Sequence, residues 1–232
     1  MSTQSLTLRH GTIEHRLAFA SADAMSADEF LSEEEKEQAA GFRFAAKREG
    51  FLLGRLAAKR ALGALLEEPD LRRIGIRSGV YGQPLVRHPR AESIEVSVSH
   101  SQGRAVALAF PADYPLGIDL ETVATVKAEV VLGEIEASPP ELTWLAAGAV
   151  DPATACCVLW SAREALGKAL RIGLNSPLGI LALAGIEDRG QGSWSGRYLN
   201  FPRVQCQSLA RNGRVLSLAM HGDAVLSSQL AL

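Results

Sequence analysis

The run Trp160-Ser161-Ala162-Arg163-Glu164-Ala165-Leu166-Gly167-Lys168-Ala169 places an indole, a carboxylate and an ammonium at intervals of four. Its alanine and leucine content and its lack of interior proline favour a helix, where residues i, i+4 and i+8 lie about 40° apart on one face. Trp160, Glu164 and Lys168 then form one stripe. Two more acids, Asp119 and Glu121, stand in Leu116-Gly117-Ile118-Asp119-Leu120-Glu121, which reads as a strand. Residues i and i+2 of a strand share a face, so these carboxylates point the same way while Ile118 and Leu120 point into the core. Adjacent carboxylates repel unless a cation lies between them. A hard divalent ion with oxygen ligands suits the pair, Mg²⁺ above all where phosphates supply the remaining ligands. Taken singly, each feature also has a plain reading: a surface Glu-Lys pair beside a packing Trp, and two solvent-facing acids on an edge strand.

The surrounding pattern supplies elements to position these groups. Thr12 to Ala20 reads as an opening strand, and Ser32 with Glu35 has capping-box spacing at the head of a helix. Phe44 to Leu66 is a long amphipathic helix with a basic face, which composition alone would leave as a solvated face. Ile74 to Arg77 is a short strand, followed by the turn residues Gly79-Val80-Tyr81-Gly82-Gln83-Pro84. Ile94 to Ser99 and Arg104 to Phe110 alternate about Gln102-Gly103, predicting a hairpin with Ser99-His100-Ser101 at its tip. Ser138-Pro139-Pro140-Glu141 opens a short helix through Trp144, and Asp151-Pro152 heads the helix containing Trp160, which ends near Gly173. Strands follow at about 180–186, 196–201, 203–209 and 214–221. The order of helix and strands occurs twice, dividing the chain into 1–112 and 113–232, with no visible sequence repeat.

With 232 residues, 47% of them apolar, the chain can bury a substantial core, which excludes disorder over most of its length. Neither a basic segment leading into an apolar one at the start nor an apolar run of about 20 residues is present, predicting a soluble, unexported, cytoplasmic protein with no membrane partner. The three cysteines, Cys156, Cys157 and Cys206, fit neither a disulfide framework nor a CxxC metal site. His10 and His15 read as surface residues. A net charge of −2 speaks against a nucleic-acid partner. Locally, however, Arg43, Lys47, Arg48, Arg55, Lys59 and Arg60 face only Glu49, enough for an anion site.

Ser99-His100-Ser101, Gly117-Ile118-Asp119-Leu120-Glu121 and Trp160 to Ala169, in this order and spacing, together with Phe42-Arg43-Phe44 and Leu53-Gly54-Arg55, resemble the Sfp-type 4′-phosphopantetheinyl transferases of the holo-acyl-carrier-protein synthase superfamily. That family's motifs run SHS, GxDxE and WxxKEAxxK, and the resemblance spans about residue 40 to Leu178. It implies an α/β (α+β) fold: a pseudo-twofold monomer of two similar halves, each a long helix packed on a small antiparallel sheet, with the active site between them. It assigns coenzyme A contacts to the first half and the metal and catalytic helix to the second. Asp119, Glu121 and Glu164 match the family's metal carboxylates, His100 the histidine at the coenzyme's phosphates, and Lys168 the lysine closing the helix motif.

Three differences accompany the match. Arg163 stands where lysine usually precedes the glutamate, and the two are not interchangeable in shape. Gln83 occupies a position that is often basic and touches the coenzyme. Glu37-Gln38-Ala39-Ala40 lacks cations that some members set against the 3′-phosphate, for which Arg43, Arg48 and Arg55 can substitute.

The implied reaction is Mg²⁺-dependent transfer of the 4′-phosphopantetheine arm of coenzyme A to a serine of an acyl or peptidyl carrier protein, releasing adenosine 3′,5′-bisphosphate. Such chemistry needs neutralised phosphate charge and a deprotonated nucleophile. Glu164, directly or through a water on the metal, takes the serine proton, with Asp119 beside it. Lys168 serves the leaving phosphate. Ser99, His100, Arg43, Arg48, Arg55, Gln83 and Lys168 are the expected coenzyme contacts, and Lys127 to Leu132 with Glu134 to Trp144 the carrier contacts. The alternatives are a module that binds coenzyme A or a carrier without turnover, and another Mg²⁺-dependent phosphotransfer enzyme.

Overall fold

The computed structural model describes residues 3–23, 29–125, 128–173 and 175–230, so Lys127 of the expected carrier surface lies outside the described residues. The chain forms two compact units, Met1–Pro115 with Val225–Ala231, and Leu116–Ala224. Both are mixtures of helix and antiparallel sheet.

In the first unit, β1 (Thr3–His10) and β2 (Ile13–Ala22) form a hairpin, followed by α1 (Glu33–Ala40) and α2 (Ala45–Leu66). A short ribbon, β3 (Gly75–Ser78) and β4 (Pro84–Arg87), precedes the hairpin of β5 (Ile94–Ser101) and β6 (Arg104–Pro111). The short strand β12 (Ala224–Leu226) completes a five-stranded sheet ordered β12-β1-β2-β6-β5. Helix α2 lies on β6, β2 and β5. The helix-facing residues of β6 are Ala105, Ala107 and Ala109, which meet Leu52, Leu56, Ala57, Ala61 and Leu62 of α2 in one core. Small residues on the strand and large ones on the helix let the two backbones approach without leaving voids. The capping box at Ser32 and Glu35 is formed on both sides. Gln102 and Gly103 both take positive φ, 43° and 70°, as a two-residue hairpin turn requires.

The second unit contains β7 (Gly117–Thr122), α3 (Ala128–Ile135), α4 (Pro139–Ala146), α5 (Pro152–Ala169), β8 (Leu183–Gly190), β9 (Ser193–Tyr198), β10 (Val204–Arg211) and β11 (Arg214–His221). Its sheet runs β7-β11-β10-β9-β8, and α5 packs across β7, β11 and β10. Each unit therefore follows one plan of connection: a strand, a long helix, a hairpin, then a second hairpin whose last strand pairs with the first. β2, α2, β5 and β6 correspond in this way to β7, α5, β10 and β11.

Three differences from the sequence reading stand out. β1, β4, α3 and β12 are additional elements. Helix α5 ends at Ala169, with Leu170 as its cap, rather than near Gly173. Residues Leu178–Leu181 form a 3-10 turn, so the strand expected from Ile180 begins at Leu183. No helix among the described residues is long and apolar enough to cross a membrane.

Candidate active site

Helix α5 starts from Asp151, whose side chain accepts the Thr154 N–H at 3.0 Å, with Pro152 in its first turn. It crosses β7 at Gly117 with no space to spare. A Cβ at Gly117 would overlap Ala165 O and lie 2.5 Å from Ala169 N. The glycine of the strand motif is thus what lets the helix lie directly on the strand, and this contact sets the distance between the two sets of charged residues.

At that crossing Lys168 Nζ donates to Asp119 Oδ1 at 2.7 Å and stands 4.0 Å from Glu164 Oε2. Ser161 Oγ donates to the Asp119 backbone oxygen at 3.1 Å, holding the strand from the same helix. Asp119 is 1% exposed. The carboxylate face of β7 is therefore covered by α5, while Ile118 and Leu120 on the opposite face are also fully buried. β7 is an edge strand, as one reading allowed, but its acids do not face open solvent.

Burial pushes the Glu164 carboxyl up to about 7, and the negative charge of Asp119 adds to the rise. Lys168 and a hydrogen bond from Trp160 oppose it. Trp160 is consequently more than the packing residue the sequence reading made of it: it also contacts the core of its unit, but it is bonded to Glu164. Its place four residues before Glu164 was the available signal. Glu121 is half-buried two residues along β7. Its charge and that of Asp119 act on the buried Cys157 thiol, which is pushed up chiefly by burial.

Arg163 points elsewhere. Its guanidinium is wholly buried, and Nη2 donates to Glu141 Oε2 at 2.7 Å. Glu141 is the N3 residue of the capping box on α4: the same oxygen accepts the Ser138 N–H at 2.7 Å, and Oε1 accepts the Leu183 N–H at 2.9 Å. One carboxylate thereby ties α4, α5 and β8 together. Burial lowers the Arg163 pKa and Glu141 raises it. Arginine at this position belongs to the interior of the unit and does not join Asp119 and Glu164.

The donors Asp119, Glu121 and Glu164 are all carboxylates, with Asp119 buried and Glu164 raised chiefly by burial and then by the charge of Asp119. That chemistry fits a hard divalent cation. Among the described residues their ligand atoms do not all lie within 4.8 Å of one another, and the cation that links Asp119 to Glu164 is the Lys168 ammonium.

In the first unit, Ser99 is buried and His100 exposed at the end of β5. The imidazole lies on α2 over two glycines: a Cβ at Gly50 would sit 3.0–3.2 Å from its ring atoms, and one at Gly54 would sit 3.8 Å away. Glycines four apart thus form a track for the ring on a helix that otherwise presents side chains. Arg43 and Arg48 are exposed at the start of α2. Arg55 is instead held inside the unit, its Nε 3.4 Å from Glu35 Oε1 and its guanidinium 4.7 Å above the Phe51 ring. Lys59 Nζ, fully buried, reaches Glu35 Oε2 at 2.5 Å and the Phe30 oxygen at 2.8 Å. Gln83 closes its own turn, its Oε1 accepting the Tyr81 N–H at 2.9 Å.

An α+β unit with a helix-borne glutamate and lysine clamped to a strand aspartate is the class that this geometry defines. Residues 115–219 match the family model of the 4′-phosphopantetheinyl transferase superfamily, a stretch that includes β7, α5 and the sheet behind them. The matched stretch takes in nearly all of the second unit. No curated protein matches the chain.

Proposed function

We propose that the protein is an Sfp-type enzyme that moves the 4′-phosphopantetheine arm of coenzyme A onto a serine of an acyl or peptidyl carrier protein and releases adenosine 3′,5′-bisphosphate. The observation that carries this reading is the stripe Trp160, Glu164 and Lys168 of α5 fastened to Asp119, inside the segment that matches the superfamily.

Glu164 is the base. A positioned carboxylate can take a proton from a hydroxyl in the transition state, and Glu164 is half-buried beside Asp119, with Trp160 bonded to it. The carrier serine loses its proton to Glu164, and its oxygen bonds to the phosphorus bearing the pantetheine arm. The bond from that phosphorus to the bridging oxygen breaks, and the leaving phosphate keeps the electron pair. Lys168 meets the developing charge as a donor. Trp160 orients Glu164, and Asp119 holds Lys168. Asp119, Glu121 and Glu164 would hold Mg²⁺, which when bound neutralises diphosphate charge. His100, Arg43 and Arg48, all exposed on the first unit, would contact the phosphates, and Arg55 and Gln83 serve from their ion pair and turn as supports.

Incubation with apo carrier protein, coenzyme A and Mg²⁺, followed by weighing of the carrier, tests the proposal. A phosphopantetheine mass gain is expected. Coenzyme A binding without mass gain on several acyl and peptidyl carriers would favour the non-catalytic module instead.

A further inference from the structure

The side of the second sheet that faces α5 carries a polar row in a largely apolar layer. Ser217 on β11 pairs with Asp119 on β7 and with Ser208 on β10, so the three side chains stand in line on one face. That face lies under α5, because Val215 and Ala219, two residues to either side of Ser217, pack with residues of the helix. Ser217 Oγ and Ser208 Oγ are 2.8 Å apart, and Ser208 Oγ is 3.3 Å from Cys206 Sγ. Cys206 interacts in turn with the Tyr198 hydroxyl, which donates to Ala162 O of α5 at 2.6 Å. Tyr198, Cys206, Ser208 and Ser217 are all buried.

The first unit shows that the shared plan does not require such a row. Its hairpin turn Gln102-Gly103 corresponds to Asn212-Gly213, and all four residues take positive φ. Counted from these turns, Ala107 stands in the place of Ser217 and Val98 in that of Ser208, while Ala20, the partner of Ala107, stands in that of Asp119. The row there is alanine, alanine and valine, packed against α2 without a hydroxyl. Buried hydroxyls cost free energy unless they are bonded, and apolar groups of similar shape can replace a bonded pair at little cost. The hydroxyls occur in the unit whose row ends at Asp119.

We propose that Ser217, Ser208 and Tyr198 are positioning residues for the contact between Asp119 and Lys168, a role whose use in catalysis rests on the transferase reading. The network leaves α5 at Ala162, two residues before Glu164, crosses β9, β10 and β11, and returns beside Asp119. Lys168 and Ser161 of the same helix are bonded to that residue. Helix and strand are thereby tied by two routes, and α5 cannot slide along β7 without breaking one of them. A small displacement of reacting groups costs rate more than it costs binding.

Ser217→Ala and Tyr198→Phe test this in the full-length protein. Each removes one oxygen, and the first unit already accommodates alanine in the place of Ser217, so both should fold, as melting curves will show. With apo carrier protein, coenzyme A and Mg²⁺, kcat should fall about tenfold while KM for coenzyme A stays within about twofold of wild type. Acetylation of Lys168 by acetic anhydride, read by mass spectrometry against the exposed Lys47, should be faster in both variants, because the ammonium leaves Asp119 more often. Leu181→Ala trims the same core without removing a polar group; it should lower the melting temperature yet leave kcat and Lys168 labelling unchanged. Wild-type kcat and labelling in Ser217→Ala and Tyr198→Phe would overturn the role while the reaction stands, and equal changes in Leu181→Ala would reduce the row to general stability. Faster Lys168 labelling in both variants of a protein that modifies no carrier keeps the positioning network and removes the transferase reading.

Discussion

Replacing Glu141 by alanine tests whether Arg163 is an interior residue or part of the reacting site. The substitution strips the fully buried guanidinium of its counter-ion and frees the Ser138 and Leu183 N–H groups. Removing one partner of a buried ion pair costs about 3–5 kcal/mol, and losing the reciprocal cap adds about 1 kcal/mol. Against total stabilities of about 5–15 kcal/mol this is a large fraction, and at about 2–4 °C per kcal/mol the melting temperature should fall by roughly 10 °C or more. The double variant Glu141→Leu/Arg163→Met removes both charges together and should recover much of the loss. Circular-dichroism melts measure both, and transfer activity is read well below each variant's melting temperature. Activity per folded molecule should be close to wild type in the double variant. An unshifted melt in Glu141→Ala would refute the energetic argument. A well-folded double variant with no activity would place Arg163 at the chemistry.

Three further outcomes follow from the geometry. Gly117→Ala drives a methyl into Ala165 O and Ala169 N; overpacking of this kind costs about 1–3 kcal/mol, so urea titration should show that loss, and activity should fall further because Lys168 moves from Asp119. Gly50→Ala pushes on the His100 ring, an exposed side chain able to swing away, so stability should hold within about 0.5 kcal/mol while KM for coenzyme A rises more than kcat falls. In chelator, Glu164 should make stability depend on pH: its folded pKa of about 7 lies above the ordinary 4.5, so its contribution is complete below 4.5 and is lost as pH rises through 7. At about 1.4 kcal/mol per pH unit the loss is roughly 3 kcal/mol. Glu164→Gln should flatten that slope in denaturant midpoints taken from pH 5 to 8, and an unchanged slope would contradict the assigned burial.

The parts of the fold that could be read in advance were those written in local chemistry. Ser32 with Glu35, Ser138 with Glu141 and Asp151 with Pro152 each contain a helix start within four residues, and each helix starts there. The Gln102-Gly103 turn set the β5–β6 register in the same way. Strand β1 left a weaker trace: Leu6 and Leu8 alternate between polar residues, and both turn inward, but the run is short. Side-chain direction was harder. Arg163 and Glu164 are neighbours about 100° apart on a helix that is packed on more than one side, so one enters the core and the other meets Asp119. The partner that decides this for Arg163, Glu141, is 22 residues away in sequence. Arg55 shares a face with Arg48, as its spacing requires, yet ends on Glu35, a residue whose capping role was legible and whose burial was not.

The base assignment is the centre of the mechanism, and single-turnover transfer to an apo carrier, with coenzyme A and Mg²⁺ saturating, tests it most directly. Wild type and Glu164→Gln are compared after their melts show that both are folded. Loss of about a hundredfold or more in the transfer rate is predicted for Glu164→Gln, in line with removal of a positioned general base. Transfer by Glu164→Gln at the wild-type rate would contradict the account.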